Sequence, residues 1–155
     1  MTHTRTIRWA LAVVAFCAIS SASSASAQAG VGTWERQGVQ TPGQPLTMTV
    51  EACCGAGRRL TYRVPGLEAV VTVESPFNGT EVPVLFGGKP SGETMAITQV
   101  DDRHWTTVLK MNGKLFGTSR GTLSADGRTI TVENDMTTTS GATPAGKSTE
   151  TWVKK

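Results

Sequence analysis

The chain has 155 residues, of which 15 are Lys or Arg and 12 are Asp or Glu, giving a formal net charge of +3 at neutral pH. Two of the basic residues, Arg5 and Arg8, lie in the N-terminal segment described next, so the 15 basic residues become 13 against 12 acidic ones in the remainder. This near-neutral remainder has no basic stripe, which argues against nucleic acid or an acidic membrane surface as a partner.

Residues 1–27 have the three parts of a cleavable signal peptide. The two arginines precede an uncharged apolar run over residues 9–19, and Ala25-Ser26-Ala27 supplies the small residues that a signal peptidase requires. A helix that spans a bilayer needs about 20 apolar residues, so this run is too short to be a membrane span. We therefore expect cleavage after this motif, export to the periplasm or the medium, and one mature domain over residues 28–155.

The mature part has the pattern of short antiparallel strands. All 17 Gly and all 7 Pro lie there, and in the Gly- and Pro-free stretch 93–112 the apolar residues recur with period two. Asn112-Gly113 and Asp126-Gly127 supply the positive φ angles of tight hairpin turns, and alternation after the second turn places Ile130 and Val132 on the inner face. The pattern predicts about ten strands and no helix of useful length. The strands are expected near residues 31–37, 46–53, 58–64, 67–74, 81–86, 93–100, 104–111, 114–123, 128–137 and 148–154.

Sequential strands joined by hairpins form a meander, and an open meander of this length has two exposed edges. Closure of the sheet removes both edges, so we predict an all-β, antiparallel up-and-down barrel. A two-sheet sandwich is the alternative that the strand pattern also allows.

The first predicted strand carries Gly32-Thr33-Trp34, which resembles the Gly-x-Trp motif of the calycins, the group that includes lipocalins and fatty-acid-binding proteins. In those proteins the indole plugs the closed end of the barrel, so the resemblance implies that role for Trp34. The chain is also similar, over residues 30–37 and 78–153, to secreted bacterial lipocalin-like proteins, which are mostly uncharacterised. The matching stretches are Asn78 to Gly87, Asp102 to Thr107, Ser124 to Val132, and Glu150-Thr151-Trp152.

The resemblance implies a barrel closed like that of a lipocalin or a fatty-acid-binding protein, and it implies a fold more than a function. Two features depart from those families. A Gly- and Pro-rich loop at 38–45 stands where fatty-acid-binding proteins carry a helical lid, and the last strand offers Lys154 where lipocalins pack an arginine over the tryptophan.

Six aromatic residues are the candidate lining of a ligand pocket, and the alternative is that each belongs to an ordinary barrel core. They are Trp34, Tyr62, Phe86, Trp105, Phe116 and Trp152. Arg58, Arg59 and Arg63 have the chemistry to clamp a carboxylate head group. Arg58 and Arg59 flank a predicted turn, however, and are expected to face solvent.

Cys53 and Cys54 are adjacent, and export would place them in an oxidising compartment. Side chains of neighbouring strand residues point to opposite faces, so a bridge between them requires the chain to leave strand geometry, which Gly55 and Gly57 allow. Three arrangements are open: a vicinal disulfide at the turn, a bridge to another chain, or one buried and one free thiol. We favour the vicinal disulfide.

His104 is the one histidine of the mature part, and it follows Asp101 and Asp102 closely. An Asp–His pair has the chemistry of a general base, and the two carboxylates with the imidazole are potential metal ligands. A solvated turn is the simpler interpretation, since no Ser or Cys stands in a nucleophile motif and a metal site needs three or four ligands. We therefore predict no catalytic residue, no metal and no cofactor.

The sequence thus favours a secreted or periplasmic, monomeric, non-enzymatic β-barrel that binds a small apolar or amphipathic molecule, as the calycin resemblance implies. A filled barrel that serves as an interaction or envelope-associated module is the second hypothesis. A barrel isomerase or cyclase working through carboxylates and a tyrosine is the third, and it would gain support if Asp101, Asp102 and His104 faced a cavity beside Tyr62.

Overall fold

The computed structural model describes residues 30–38, 45–140 and 143–155, so the predicted signal peptide and most of the predicted loop 38–45 lie outside the described residues. The described chain forms ten strands. None of its segments is an apolar helix long enough to cross a membrane. In chain order, β1 to β10 are Gly32–Arg36, Thr47–Cys53, Gly57–Arg63, Val71–Ser75, Asn78–Phe86, Lys89–Gln99, His104–Met111, Lys114–Leu123, Thr129–Met136 and Gly146–Lys154.

Each strand pairs antiparallel with its neighbours in sequence, and β1 also pairs with β10, so that the sheet closes on itself. The closing register places Trp34 opposite Lys154 and Arg36 opposite Trp152. The predicted up-and-down barrel is therefore confirmed, and the two-sheet sandwich is wrong. Closure satisfies the backbone hydrogen-bonding groups that an open meander would expose at its two edges.

The strand boundaries follow the sequence prediction at the tight hairpins and depart from it beside Gly and Pro. Asn112 and Gly113 adopt positive φ angles of 48° and 78°, and β7 and β8 begin and end where the alternation predicts. By contrast, β6 begins at Lys89 rather than near residue 93. Its hairpin with β5 places Pro90 opposite Leu85, because a proline near a strand end removes little of the hydrogen-bond ladder.

The barrel has a closed end and an open end. The closed end carries the β2–β3, β4–β5, β6–β7 and β8–β9 connections, and the open end carries the other connections. Trp34 is fully buried toward the closed end, where its indole Nε1 donates a hydrogen bond to the Gly30 carbonyl at 2.9 Å. The Lys154 ammonium lies over the Trp34 ring, 5.5 Å from its centroid.

The interior-facing residues form two clusters of buried apolar side chains. The larger cluster surrounds Trp34 and Trp152 and extends over most of the barrel. The smaller one, near the open end, consists of Leu109, Phe116 and Met136. Strand side chains alternate between the two faces of a sheet, so these residues leave the other face of each strand to solvent.

Candidate functional site

The barrel encloses a cavity of about 440 Å³, a volume within the range of small-molecule sites. Its lining extends from the core to the open end, where Leu67 and Phe86 are about half exposed (50% and 44%). Leu67 lies in the β3–β4 loop and Phe86 ends β5, so these two elements form one side of the mouth. The cavity is therefore accessible from the open end.

The two halves of the cavity wall differ in polarity. Strands β2 to β5 present mainly aliphatic side chains to the cavity. They include Met48, Val50, Leu60, Val73 and Val84, all buried. Strands β6 to β10 instead contribute most of the polar lining. Those polar residues are Ser91, Glu93, Thr107, Ser119, Asn134 and Glu150.

A row of polar residues crosses the second half of the wall at one level, and we call it the polar row. Its members, Thr107, Ser119, Asn134 and Ser148, lie on β7, β8, β9 and β10 and are successive cross-strand partners. The first three line the cavity, and Ser148 lies beside them outside the lining. With about 4.8 Å between strands, the row is about 14 Å long. The Asn134 Nδ2 and Ser148 Oγ atoms are buried and have no hydrogen-bond partner, although buried polar groups are normally paired.

Sequence reasoning missed the polar row, yet a signal for part of it was present. The alternation that places Ile130 and Val132 on the inner face also places Asn134 there if it is continued by two residues. An asparagine is more often found at the surface than in a barrel interior. The same alternation, read back from Trp152, brings Glu150 and Ser148 to the inner face.

Glu150 is buried in the cavity wall and is held by two neighbours. The Arg36 guanidinium lies 3.3 Å from its carboxylate, and the Thr143 hydroxyl donates a hydrogen bond to it at 2.7 Å. Thr143 belongs to the β9–β10 loop, and Ser140 of the same loop donates a hydrogen bond to Glu93 of β6 at 3.0 Å. Since β6 and β9 are separated by two strands, these contacts carry the loop across the mouth.

Tyr62 lines the cavity beside Trp152, with the two ring centroids 6.1 Å apart in an edge-on arrangement. Burial, and secondarily the negative charge of Glu150, raise the pKa of the Tyr62 phenol well above its ordinary value. The hydroxyl is therefore neutral throughout the physiological pH range.

The position of Arg58 differs from the sequence prediction. It was expected to face solvent beside its turn, but it is 5% exposed and lines the cavity toward the closed end. Its guanidinium lies over the Phe77 ring, 4.6 Å from the centroid, and donates a hydrogen bond to Gln99 Oε1 at 3.4 Å. Burial lowers the pKa of Arg58. Arg59 does face solvent, paired with Glu74.

The structure divides the six candidate aromatic residues between cavity lining and core. Tyr62, Phe86, Trp105 and Trp152 line the cavity. Trp34 and Phe116 are buried in the two apolar clusters instead. The Trp105 indole lies against Gly121 of the neighbouring strand, so closely that a Cβ at Gly121 would overlap the ring.

Cys53 and Cys54 lie at the β2–β3 turn, with their sulfur atoms joined in a vicinal disulfide. Cys54 has a positive φ of 53° and Gly55 one of 76°, so the chain leaves strand geometry at this point. Cys54 is exposed at the closed end of the barrel, and neither cysteine lines the cavity.

His104 and Asp101 lie at the β6–β7 turn, outside the cavity. The His104 Nδ1 atom is 2.8 Å from an Asp101 carboxylate oxygen, and the side chains are 45% and 57% exposed. The backbone N–H of Arg103, and then the His104 side chain, lower the pKa of Asp101. Tyr62 lies toward the other end of the barrel, so the arrangement that would support the isomerase or cyclase hypothesis is not present. Within the described residues no group of three or more His, Cys, Asp or Glu could hold a metal ion.

No protein-family model and no curated protein sequence matches the chain. Among solved structures it is similar to the fluorescent protein UnaG, with 15% sequence identity, a TM-score of 0.53, and coverage of 81% of this chain and 96% of the UnaG chain. A mutant of UnaG gives 14% identity and a TM-score of 0.54, with coverage of 81% and 95%. UnaG has a barrel like that of the fatty-acid-binding proteins. At this level of identity the similarity shows the fold alone, which is a closed ten-strand antiparallel barrel.

Proposed function

We propose that this protein is an exported, non-enzymatic barrel that binds a small amphipathic molecule in its cavity. The observation that carries the proposal is the cavity itself, about 440 Å³, with one mainly aliphatic wall and a second wall where polar groups stand among apolar side chains. A ligand with an apolar body and a polar edge matches both walls at once, because each ligand surface meets protein surface of its own kind. The half-exposed Leu67 and Phe86 at the mouth give such a ligand an apolar path inward.

The cavity also separates this proposal from the filled-barrel hypothesis. In a filled barrel the interior side chains meet across the axis and leave no space larger than a water molecule. Here Trp34 and Phe116 pack within the core, but the space between Val84 on one wall and Ser119 on the other is cavity. Export rests on the signal-peptide pattern of residues 1–27 and is proposed on that ground.

A dye titration tests the binding proposal. The neutral apolar dye N-phenyl-1-naphthylamine, whose fluorescence rises in an apolar environment, is added to protein produced from the full chain. We expect saturable binding with a dissociation constant in the micromolar range, about −8 kcal/mol. Met95 lines the cavity, so Met95→Trp fills part of it, and we expect that variant to weaken binding at least about tenfold.

Val108→Trp is the matched control. Val108 lies on β7, which is the neighbour of the β6 strand that carries Met95, but its side chain is 37% exposed and does not line the cavity. The same bulky residue is therefore added outside the barrel, and dye binding should be unchanged. Absence of saturable binding to the folded wild-type protein, or equal loss in the two variants, would contradict the proposal.

A further inference from the structure

We propose that the cavity selects an uncharged amphiphile whose polar group is a hydroxyl or carbonyl oxygen bound at Asn134. The inference rests on the proposed function and narrows it, because it names the chemical class of the ligand. Amphiphiles that carry a carboxylate or an ammonium group are the ligands that this cavity disfavours.

The charges that line the cavity sum to zero. In the described part of the chain they are two cations, Arg36 and Arg58, and two anions, Glu93 and Glu150. Arg36 lies 3.3 Å from Glu150, and Glu93 accepts a hydrogen bond from a loop hydroxyl. The Arg58 guanidinium already lies over the Phe77 ring and donates a hydrogen bond to Gln99. A ligand ion of either sign would lose its hydration and meet only charged groups that already have partners, so its transfer into the cavity is unfavourable.

Asn134 offers a ligand an unpaired hydrogen-bond donor. The residue is 9% exposed, lines the cavity, and its Nδ2 atom has no hydrogen-bond partner. A buried N–H without a partner has a free-energy cost that an oxygen acceptor on a ligand removes. A ligand oxygen placed there therefore gains more than the same oxygen placed elsewhere in the cavity.

The neighbours of Asn134 in the polar row favour a hydroxyl or carbonyl group over a larger polar head. Ser119 and Ser148 flank Asn134 on the adjacent strands, and the Ser148 Oγ atom is also buried without a partner. Of the two, Ser119 lines the cavity. A serine hydroxyl both donates and accepts hydrogen bonds, so Ser119 complements a ligand hydroxyl in either orientation. The aliphatic wall of β2 to β5 then covers the apolar remainder of the ligand.

Competition among three amphiphiles of equal chain length tests the inference. Dodecanol, dodecanoate and dodecylamine are each used at neutral pH to displace N-phenyl-1-naphthylamine from the protein produced from the full chain. We expect dodecanol to bind at least about tenfold more tightly than either ion. Asn134→Leu removes the amide at similar size, and it should lower the ratio of dodecanol affinity to dye affinity at least about fivefold.

Thr118→Leu serves as the control, because Thr118 precedes Ser119 on β8 and faces solvent. This variant should leave the affinities for the three amphiphiles unchanged. Tighter or equal binding of dodecanoate or dodecylamine, with the dye still bound, overturns the inference and leaves the proposed function standing. Absence of saturable dye binding to the folded wild-type protein overturns the proposed function. An unchanged ratio of dodecanol affinity to dye affinity in Asn134→Leu overturns the role of Asn134. If that variant does not fold, the wild-type series alone decides the preference for an uncharged ligand.

Discussion

Tyr62 is the only tyrosine of the chain, and its burial beside Glu150 has a measurable consequence at high pH. Its pKa in the folded protein lies above that of an exposed tyrosine, because burial and then the Glu150 charge disfavour the phenolate. Above about pH 10 the unfolded chain therefore releases a proton that the folded protein retains. The free energy of unfolding should fall there by up to about 1.4 kcal/mol per pH unit, and the contribution is complete below that pH.

Urea unfolding of wild type and of Tyr62→Phe, measured between neutral pH and the alkaline range, isolates this effect. The difference between the two proteins should be constant near neutrality and should shrink or reverse as the pH rises, since the phenylalanine does not titrate. Phenolate absorbance of the single tyrosine provides an independent readout. Ordinary titration of Tyr62 in the folded protein would contradict its placement in the cavity wall.

Trp34 and His104 are expected to respond to truncation in opposite ways. Trp34→Ala empties a fully buried aromatic site and should lower the free energy of unfolding by about 3–5 kcal/mol. His104→Ala removes an exposed turn side chain and should change it by less than about 0.5 kcal/mol. Chemical denaturation of the two variants measures both values. A near-neutral Trp34→Ala is incompatible with the buried plug, and a large loss in His104→Ala would show a bound or buried imidazole.

The Cys53–Cys54 pair should contribute little to stability. A disulfide stabilises mainly by restricting the unfolded chain, more so for longer loops, and this one closes a loop with no intervening residue. Double replacement by Ser should therefore leave the melting temperature nearly unchanged.

The redox state is tested by alkylation of freshly exported protein, in which we expect no free thiol. A dimer on a non-reducing gel that collapses on reduction would show an intermolecular bridge instead.

At the scale of elements, the contact between β7 and β8 depends on one small residue. Gly121 has no positive φ, so its backbone would accept alanine, but the added Cβ would overlap the Trp105 indole. Gly121→Ala should therefore destabilise the protein by about 1–3 kcal/mol, as added bulk in a packed site does. Thr122→Ala, at the next and exposed position, should change stability by less than about 0.5 kcal/mol. Equal effects would show that the ring does not pack on β8.

The sequence predicts the elements better than it predicts the site, for a physical reason. Strands and hairpins follow from local signals, such as Asn112-Gly113 and the alternation that ends with Val132. Closure follows from the cost of unpaired edges. The cavity wall, in contrast, depends on side chains that meet only when distant strands come together. The pairing of Arg36 with Glu150 and the burial of Arg58 have no local signature.

If both proposals hold, the whole molecule exists as one species, the processed chain with its ligand bound. Ala25-Ser26-Ala27 predicts a mature N-terminus at Gln28, and the cavity predicts a bound small molecule. Because the charges of the cavity lining sum to zero, we expect that molecule to be uncharged. A denaturing mass spectrum of the exported protein tests the predicted N-terminus directly. A mass that includes residues before Gln28 would contradict it.

Native mass spectrometry of the protein recovered from its own host is the most direct test of the barrel as a carrier. We expect the native spectrum to contain a species heavier than the processed chain by one small molecule, and the denaturing spectrum of the same sample to lack that increment. The released molecule should be an uncharged amphiphile. A native spectrum with only the bare processed chain, from a sample that also fails to bind N-phenyl-1-naphthylamine, would contradict ligand binding by this barrel.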